Sequence, residues 1–210
     1  MKTCYIIGAG DVCGTDLVAD KDDYIICADG GYEYRDMLGR EADMVVGDFD
    51  SLGRIPEAEN RIVLPCEKDD TDMAVAVEEG LKKGYRDFVL FGALGGERID
   101  HSIGNIQLLK YIASKGARGE IHHEGNVLTV FSDGEITLDE TLSGYISVFS
   151  LSDESKGVTI ESLKYETDNI TMYNCLTRGL SNEFIGKRAR ISVRDGILLV
   201  TYTKKKLSEH

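Results

Sequence analysis

No two of the five cysteines are separated by two residues, so the chain has no C-x-x-C pair and no zinc-site spacing. An odd, scattered set also provides no disulfide framework, which points to free thiols in a reducing compartment. No apolar stretch approaches the length needed to cross a bilayer. Met1-Lys2-Thr3 leads directly into a strand-like run with no signal-peptide hydrophobic region, so the expectation is a cytoplasmic protein with no membrane partner. Basic residues are scarce, 24 against 37 acidic ones, and the net charge is −13. A nucleic-acid binder needs a basic face, so nucleic acid is not an expected partner. A small phosphate ligand remains compatible, because a local Mg²⁺, Lys or Arg reverses the field near it. Gly8-Ala9-Gly10 lacks the G-x-G-x-x-G pattern, since position 13 is cysteine, and no Gly-Lys-Ser/Thr follows. A standard dinucleotide fold and a P-loop kinase are therefore disfavoured. No Ser-His-Asp or Cys-His arrangement, internal repeat or low-complexity segment is visible.

The chain divides into two halves of different period. In the first, short continuous apolar runs alternate with helical patterns. The runs are Cys4–Ile7, Tyr24–Ala28, Met44–Val46, Arg61–Leu64 and Asp87–Phe91. Runs without polar alternation suit strands covered on both faces, as in parallel sheets. Helices are expected over Gly31–Leu38, closed near Gly39, over Thr71–Lys83, and over His101–Ser114 with Ile103, Ile106, Leu109 and Ala113 on one face. After about residue 120 the pattern changes to short strands split by turns, with hairpin-type signals at Asp133-Gly134 and Asp195-Gly196. Strands without helices indicate an antiparallel sandwich or barrel. The fold class is thus an α/β N-terminal domain with a mostly parallel sheet, residues 1–122, followed by an all-β domain, residues 123–207. Cys4 and Cys27 lie within apolar runs and read as buried small hydrophobes.

The chemistry concentrates between Gly47 and His101: Gly47-Asp48-Phe49-Asp50-Ser51, Lys68-Asp69-Asp70-Thr71-Asp72, the glycine-rich Gly92–Gly96, and Arg98-Ile99-Asp100-His101. Clustered carboxylates repel one another unless a cation sits among them. Mg²⁺, a hard cation with oxygen ligands, normally works together with substrate phosphates. In an open parallel sheet, ligands bind at the carboxyl ends of the strands. Gly8, Asp29, Asp48 and Gly92 all fall at or just after such ends, so glycines and carboxylates converge on one rim. Asp48 and Asp50 form a D-x-D pair able to face one cation, and Asp72 could complete the set, although an acid in a first helical turn is also simply favourable to the helix dipole. The N–H groups of Gly92–Gly96 could cradle phosphate. Arg98 offers a fork for phosphate and Lys68 a point charge. His101 could be a base, a phosphate ligand or a helix-start residue. The whole set favours phosphoryl-type transfer over acyl transfer. A D-x-D glycosyltransferase and a non-enzymatic cation-binding module are the competing readings, with an aspartyl phosphohydrolase a weaker rival because its downstream motifs cannot be assigned.

The ordered series Ala28-Asp29-Gly30-Gly31, Gly47-Asp48-Phe49-Asp50-Ser51, Lys68-Asp69-Asp70-Thr71-Asp72, Gly95-Gly96-Glu97-Arg98-Ile99-Asp100-His101 with Asn105, and Leu180-Ser181-Asn182-Glu183-Phe184 resembles the thiamin pyrophosphokinase family over nearly the whole chain. The resemblance implies an N-terminal ATP-binding α/β domain, a C-terminal β-sandwich and a homodimer whose active sites are shared between subunits. It implies transfer of a diphosphoryl group from ATP to the hydroxyl of thiamin, giving thiamin diphosphate and AMP. By motif, Asp48, Asp50 and Asp72 would hold Mg²⁺. Asp29, Gly30, Lys68, Thr71, Gly95, Gly96 and Arg98 would line the ATP phosphates. Asp100, His101 and Asn105, with Ser181 and Asn182 of the partner subunit, would meet thiamin. Asp48, Asp50, Asp72, Asp100 and Arg98 would carry the catalysis. One segment departs from the family: Ser162 stands where many relatives have glycine before Leu-Lys-Tyr or Leu-x-Trp. The chain has no tryptophan, which leaves Tyr165 as the aromatic of that segment.

Overall fold

The computed structural model describes residues 2–12, 19–38, 40–56, 58, 60–67 and 69–204. They fall into two compact units, Met1–Glu124 and Gly125–His210.

Among the described residues the first unit carries six strands: β1 (Thr3–Ile7), β2 (Tyr24–Ala28), β3 (Met44–Gly47), β4 (Arg61–Val63), β5 (Asp87–Phe91) and β6 (Arg118–His123). They lie in the order β6-β5-β1-β2-β3-β4, and every neighbouring pair is parallel. The continuous apolar runs end up where their composition requires. Ile6, Ile25, Ile26, Cys27, Val45, Val46 and Leu90 are all fully buried. On one face Ile7, Ile25, Cys27, Val45, Phe49 and Phe91 form a single cluster. The helix α1 (Asp72–Lys82) packs on β1, β2 and β3, and α2 (Ile99–Ser114) on β6. Gly80 permits the close approach of α1: a Cβ there would lie 2.6 Å from the Phe88 ring and 2.9 Å from the Cys4 sulfur. Burial pushes the Cys4 thiol up to about 12, so it remains an uncharged core group.

Three details of this unit differ from the sequence reading. The segment Asp29–Leu38 is a 3₁₀ helix rather than an α-helix, and its expected closure near Gly39 lies outside the described residues. The buried face of α2 is Asn105, Leu108, Leu109 and Ile112, while Ile103 is 55% exposed. The apolar spacing of that helix is ambiguous, because isoleucines occur on both faces. Strand β6 was not expected: only Gly119 and Ile121 of its Arg-Gly-Glu-Ile-His-His sequence are buried, so it lacks a continuous apolar run.

The second unit is β-rich: β7 (Asn126–Leu138), β8 (Tyr145–Ser150), β9 (Glu154–Glu161), β10 (Thr167–Tyr173), β11 (Asn182–Glu183) and β12 (Ala189–Thr203). All its pairings are antiparallel. Strand β12 organises them. Its whole length pairs β7, its first half also pairs β9 and its second half β8. Val148, Val158, Ile160, Ile191, Leu198 and Val200 lie in the resulting core. The two Asp-Gly signals are not hairpins. They face each other across β7 and β12, where the register shifts between Val193 and Ile197. Asp133 has φ 46° and Gly196 φ 130°, and the Gly196 N–H donates to Asp133 Oδ1 at 2.9 Å. The residues that would build a tight turn build a bulge instead.

Candidate active site

The order of the first sheet reverses between β1 and β5, which makes their carboxyl ends a crevice. The loops leaving them are zipped together: Gly8 N–H donates to Phe91 O (2.8 Å), Gly10 N–H to Gly92 O (2.9 Å) and Asp11 N–H to Leu94 O (3.2 Å). Only glycine fits the contact, since a Cβ on Gly92 would lie 2.2 Å from Gly8 O and Gly92 has φ 57°. The next strand end is drawn in as tightly. A Cβ on Gly31 would lie 2.0 Å from Ile7 O, and one on Gly47 would lie 3.0 Å from Asp29 Cα. The loop that carries Asp48 is therefore held against Asp29, itself in the left-handed region at φ 46°; Gly30 follows in the same 3₁₀ segment.

Phe49 explains how the D-x-D pair is presented. It has φ 59° and is buried with 2% exposure, plugging the cluster beneath the rim. With the middle residue turned inward, the flanking carboxylates emerge together. The Asp50 N–H donates to Asp48 Oδ1 at 3.3 Å, and the Cys66 thiol donates to Asp50 Oδ2 at 3.1 Å. Asp48, Asp50 and Cys66 offer three ligand atoms within 4.8 Å of one another. Two carboxylates so placed suit a hard divalent cation that completes its shell with water and phosphate oxygens. The thiol is a soft donor, and its hydrogen bond to Asp50 pushes its pKa up. It therefore acts as a proton donor to Asp50 rather than as a ligand for such an ion. Cys66, exposed in the structure, stood in the sequence only as one of five scattered cysteines.

Asp72 lies outside this group. It opens α1 as an acid in the first turn, behind Thr71, whose hydroxyl accepts the Ala74 N–H at 3.2 Å as the helix cap. Lys68 lies outside the described residues. A cleft of about 490 Å³ runs between α1 and α2, lined by Asp69, Asp70, Thr71, Glu78, Arg98, Asp100, His101, Asn105 and Tyr111 among others. It unites several of the singled-out residues, and it adds Glu78 and Tyr111, which the sequence reading passed over and which meet at 3.3 Å through the Tyr111 hydroxyl. Four acids and two bases among these nine make the cleft favourable to a cationic ligand. Arg98 forks onto Asp100 at 3.1 and 2.6 Å, which holds the Asp100 carboxyl down to about 2. Both side chains are well exposed, so the pair is weak and Arg98 can exchange partners at little cost. Asn105 is buried, and its amide donates to Ala93 O at 2.7 Å, tying α2 to the Gly92–Gly96 turn. His101 stands exposed on the first turn of α2.

In the second unit Ser181 is exposed, has φ 56° and donates its N–H to Ser147 Oγ at 3.1 Å. Asn182 is buried, and its side chain grips the backbone of Tyr165.

An open parallel sheet with glycines and paired carboxylates on its carboxyl rim places the chain among α/β proteins that receive phosphate-bearing ligands at that rim. Comparison with known proteins makes this specific. Residues 15–119 match the family description "Thiamin pyrophosphokinase, catalytic domain" and residues 134–198 match "Thiamin pyrophosphokinase, vitamin B1 binding domain". The thiamine pyrophosphokinase of Bacillus subtilis (strain 168) is 32% identical over 161 residues, 73% of this chain and 75% of that protein. A crystal structure of thiamine pyrophosphokinase from Bacillus subtilis superposes with TM-score 0.83 at 27% identity, covering 97% of this chain and 100% of the other. One from Geobacillus thermodenitrificans gives 0.80 at 29%, covering 97% and 98%. The Candida albicans enzyme shares the fold, with TM-score 0.75 at 17% identity over 96% and 89% of the two chains. The chain belongs to the thiamin pyrophosphokinase family. Neither the glycosyltransferase reading of the D-x-D pair nor the non-enzymatic one is favoured by these matches.

Proposed function

We propose that the chain transfers a diphosphoryl group from ATP to the hydroxyl of thiamin, forming thiamin diphosphate and AMP. The observation that carries this is the match of both halves, in order, to the two domains of one family. In this reading residues 1–122 form the ATP- and Mg²⁺-binding domain with its mostly parallel sheet. Residues 123–207 form a β-sandwich that contributes to thiamin binding and dimerisation.

The thiamin hydroxyl attacks the β-phosphorus in line and AMP departs. Mg²⁺, when bound, neutralises charge on the polyphosphate oxygens. Asp48 and Asp50 hold that ion, supported by their convergence; Asp72 joins them on the strength of the family motif. Arg98 leaves Asp100 for phosphate, which their exposure makes inexpensive, and Lys68 shares that role. Asp29, Gly30, Thr71, Gly95 and Gly96 shape the polyphosphate's surroundings. Asp100, His101 and Asn105 border the acidic cleft that suits the positively charged thiazolium ring, with Ser181 and Asn182 approaching from a second subunit. Once Arg98 has turned to phosphate, Asp100 is free to orient the thiamin hydroxyl or to accept its proton as the new P–O bond forms. Exposed apolar residues on α2 (Ile99, Ile103) and on the second unit (Tyr145, Leu180, Ile185) support a homodimer. Free thiols, and the absence of any described helix long and apolar enough to cross a membrane, fit a cytoplasmic enzyme.

The direct test is to incubate the protein with ATP, Mg²⁺ and thiamin and follow both products. Equimolar AMP and thiamin diphosphate are expected. ADP with thiamin monophosphate, or no thiamin-dependent turnover, refutes the assignment.

A further inference from the structure

The turn after β5 is pinned at every carbonyl from 91 to 94. Gly8, Gly10 and Asp11 donate their backbone N–H groups to residues 91, 92 and 94, and the Asn105 side chain donates to residue 93. One further bond has a different character. The Gly96 N–H donates to Asp11 Oδ2 at 3.0 Å across 85 residues of chain. A Cβ on Gly95 would lie 2.4 Å from that same Asp11 oxygen and 3.1 Å from His123 Cε1. Asp11 and His123 therefore flank the turn from two strand ends, and Gly95 and Gly96 thread between them at φ 78° and 73°. The sequence alone suggests that the N–H groups of this turn receive phosphate, yet the one at Gly96 already faces a carboxylate from the same chain.

We propose that Asp11 is a positioning residue for the transfer reaction. Its carboxylate, and not a substrate oxygen, satisfies the Gly96 N–H and fixes the turn from which Arg98 and the first turn of α2 project. The proposal rests on the reading of this rim as the ATP site. Two physical consequences follow. An N–H occupied by a fixed anion is closed to phosphate, so the polyphosphate is kept toward Arg98 and the Asp48–Asp50 side. What matters at position 11 is also an acceptor oxygen at the right place, which asparagine supplies and alanine does not.

The experiment compares full-length wild type, Asp11→Asn and Asp11→Ala, each checked by its melting curve. Amide hydrogen exchange at Gly96 is read in the protein without nucleotide, alongside kcat and the KM values for ATP and thiamin. Loss of one charge-assisted hydrogen bond predicts that Asp11→Ala speeds Gly96 exchange by about tenfold and lowers kcat/KM for ATP by about tenfold, while the thiamin KM stays within about twofold. Asp11→Asn brings both readouts back to within about threefold of wild type. Unchanged Gly96 exchange in Asp11→Ala overturns the proposal. So does an Asp11→Asn protein as slow as Asp11→Ala with Gly96 protected, because charge or substrate contact is then the cause. Faster exchange with unaltered kinetics overturns it too. A wild type that forms no AMP removes the underlying reading and the proposal with it. That failure is distinguishable, because Gly96 exchange still reports whether Asp11 holds the turn.

Discussion

Asn182 and Tyr165 are joined by a reciprocal pair of hydrogen bonds: the Tyr165 N–H donates to Asn182 Oδ1 at 2.9 Å, and Asn182 Nδ2 donates to Tyr165 O at 2.7 Å. The same Oδ1 also accepts the Glu183 N–H at 2.9 Å. Asn182 is 4% exposed and Tyr165 60%. A buried amide thus sets the backbone of an exposed aromatic ring, with the Lys164 ammonium 5.5 Å above that ring. If Tyr165 stacks on thiamin, Asn182 acts through it. Asn182→Ala leaves two N–H groups and one carbonyl without partners, which costs about 1–3 kcal/mol. We expect a lower urea midpoint and a raised thiamin KM with the ATP KM little changed. An unaltered thiamin KM in a protein that has lost that stability would confine Asn182 to a structural role.

Ser162 has φ 60°, in the left-handed region that glycine occupies without strain. Its N–H donates to Glu166 Oε1 at 2.7 Å, which helps hold the turn in that shape. Relief of the strain, partly offset by the greater freedom of glycine in the unfolded chain, predicts that Ser162→Gly stabilises the protein by about 0.5–1 kcal/mol. Chemical denaturation measures it. A destabilised variant would show that the serine makes a compensating contact.

The Arg98–Asp100 pair makes a prediction about pH. The Arg98 guanidinium, through its hydrogen bonds, holds the Asp100 carboxyl down to about 2 from an ordinary 3.8. A depressed carboxylate favours the folded state above its unfolded value, and that contribution is lost only as pH falls from about 4 through about 2. Because both groups are exposed, the effect on stability is small. The effect on titration is the measurable one. Carbon-13 NMR should place the Asp100 midpoint at about 2, and Arg98→Met should return it toward the ordinary 3.8. An Asp100 midpoint unmoved by Arg98→Met would mean that the pair does not persist in solution.

How much of this was legible beforehand depends on the kind of signal. Four buried strands, β1, β2, β3 and β5, announced themselves as unbroken apolar runs; β4, read the same way, is an edge strand with Val63 51% exposed. Thr71 with Gly84 marked both ends of α1. Their motifs fell on one rim because parallel topology forces successive strand ends to the same side. The readings that failed involve geometry spread over two distant segments. Asp133-Gly134 and Asp195-Gly196 each have the composition of a turn, and only their pairing across β7 and β12 turns them into a bulge. Cys66 meets Asp50 from 16 residues away, and Asp11 meets Gly96 from 85. No local pattern encodes either contact. Asp72 shows the opposite limit: its motif is plain, but a carboxylate at a helix start serves the helix dipole as readily as a metal.

Asp48 and Asp50 are proposed to grip the cation that carries the ATP polyphosphate, and Asp48→Asn probes that role most directly. The substitution keeps size and an acceptor oxygen but removes a charge from a half-exposed loop, so the melting temperature should hold within a few degrees. Loss of metal-assisted charge neutralisation should then lower the rate of AMP formation by about a hundredfold or more at saturating ATP, Mg²⁺ and thiamin. AMP formation within about threefold of wild type would contradict the account.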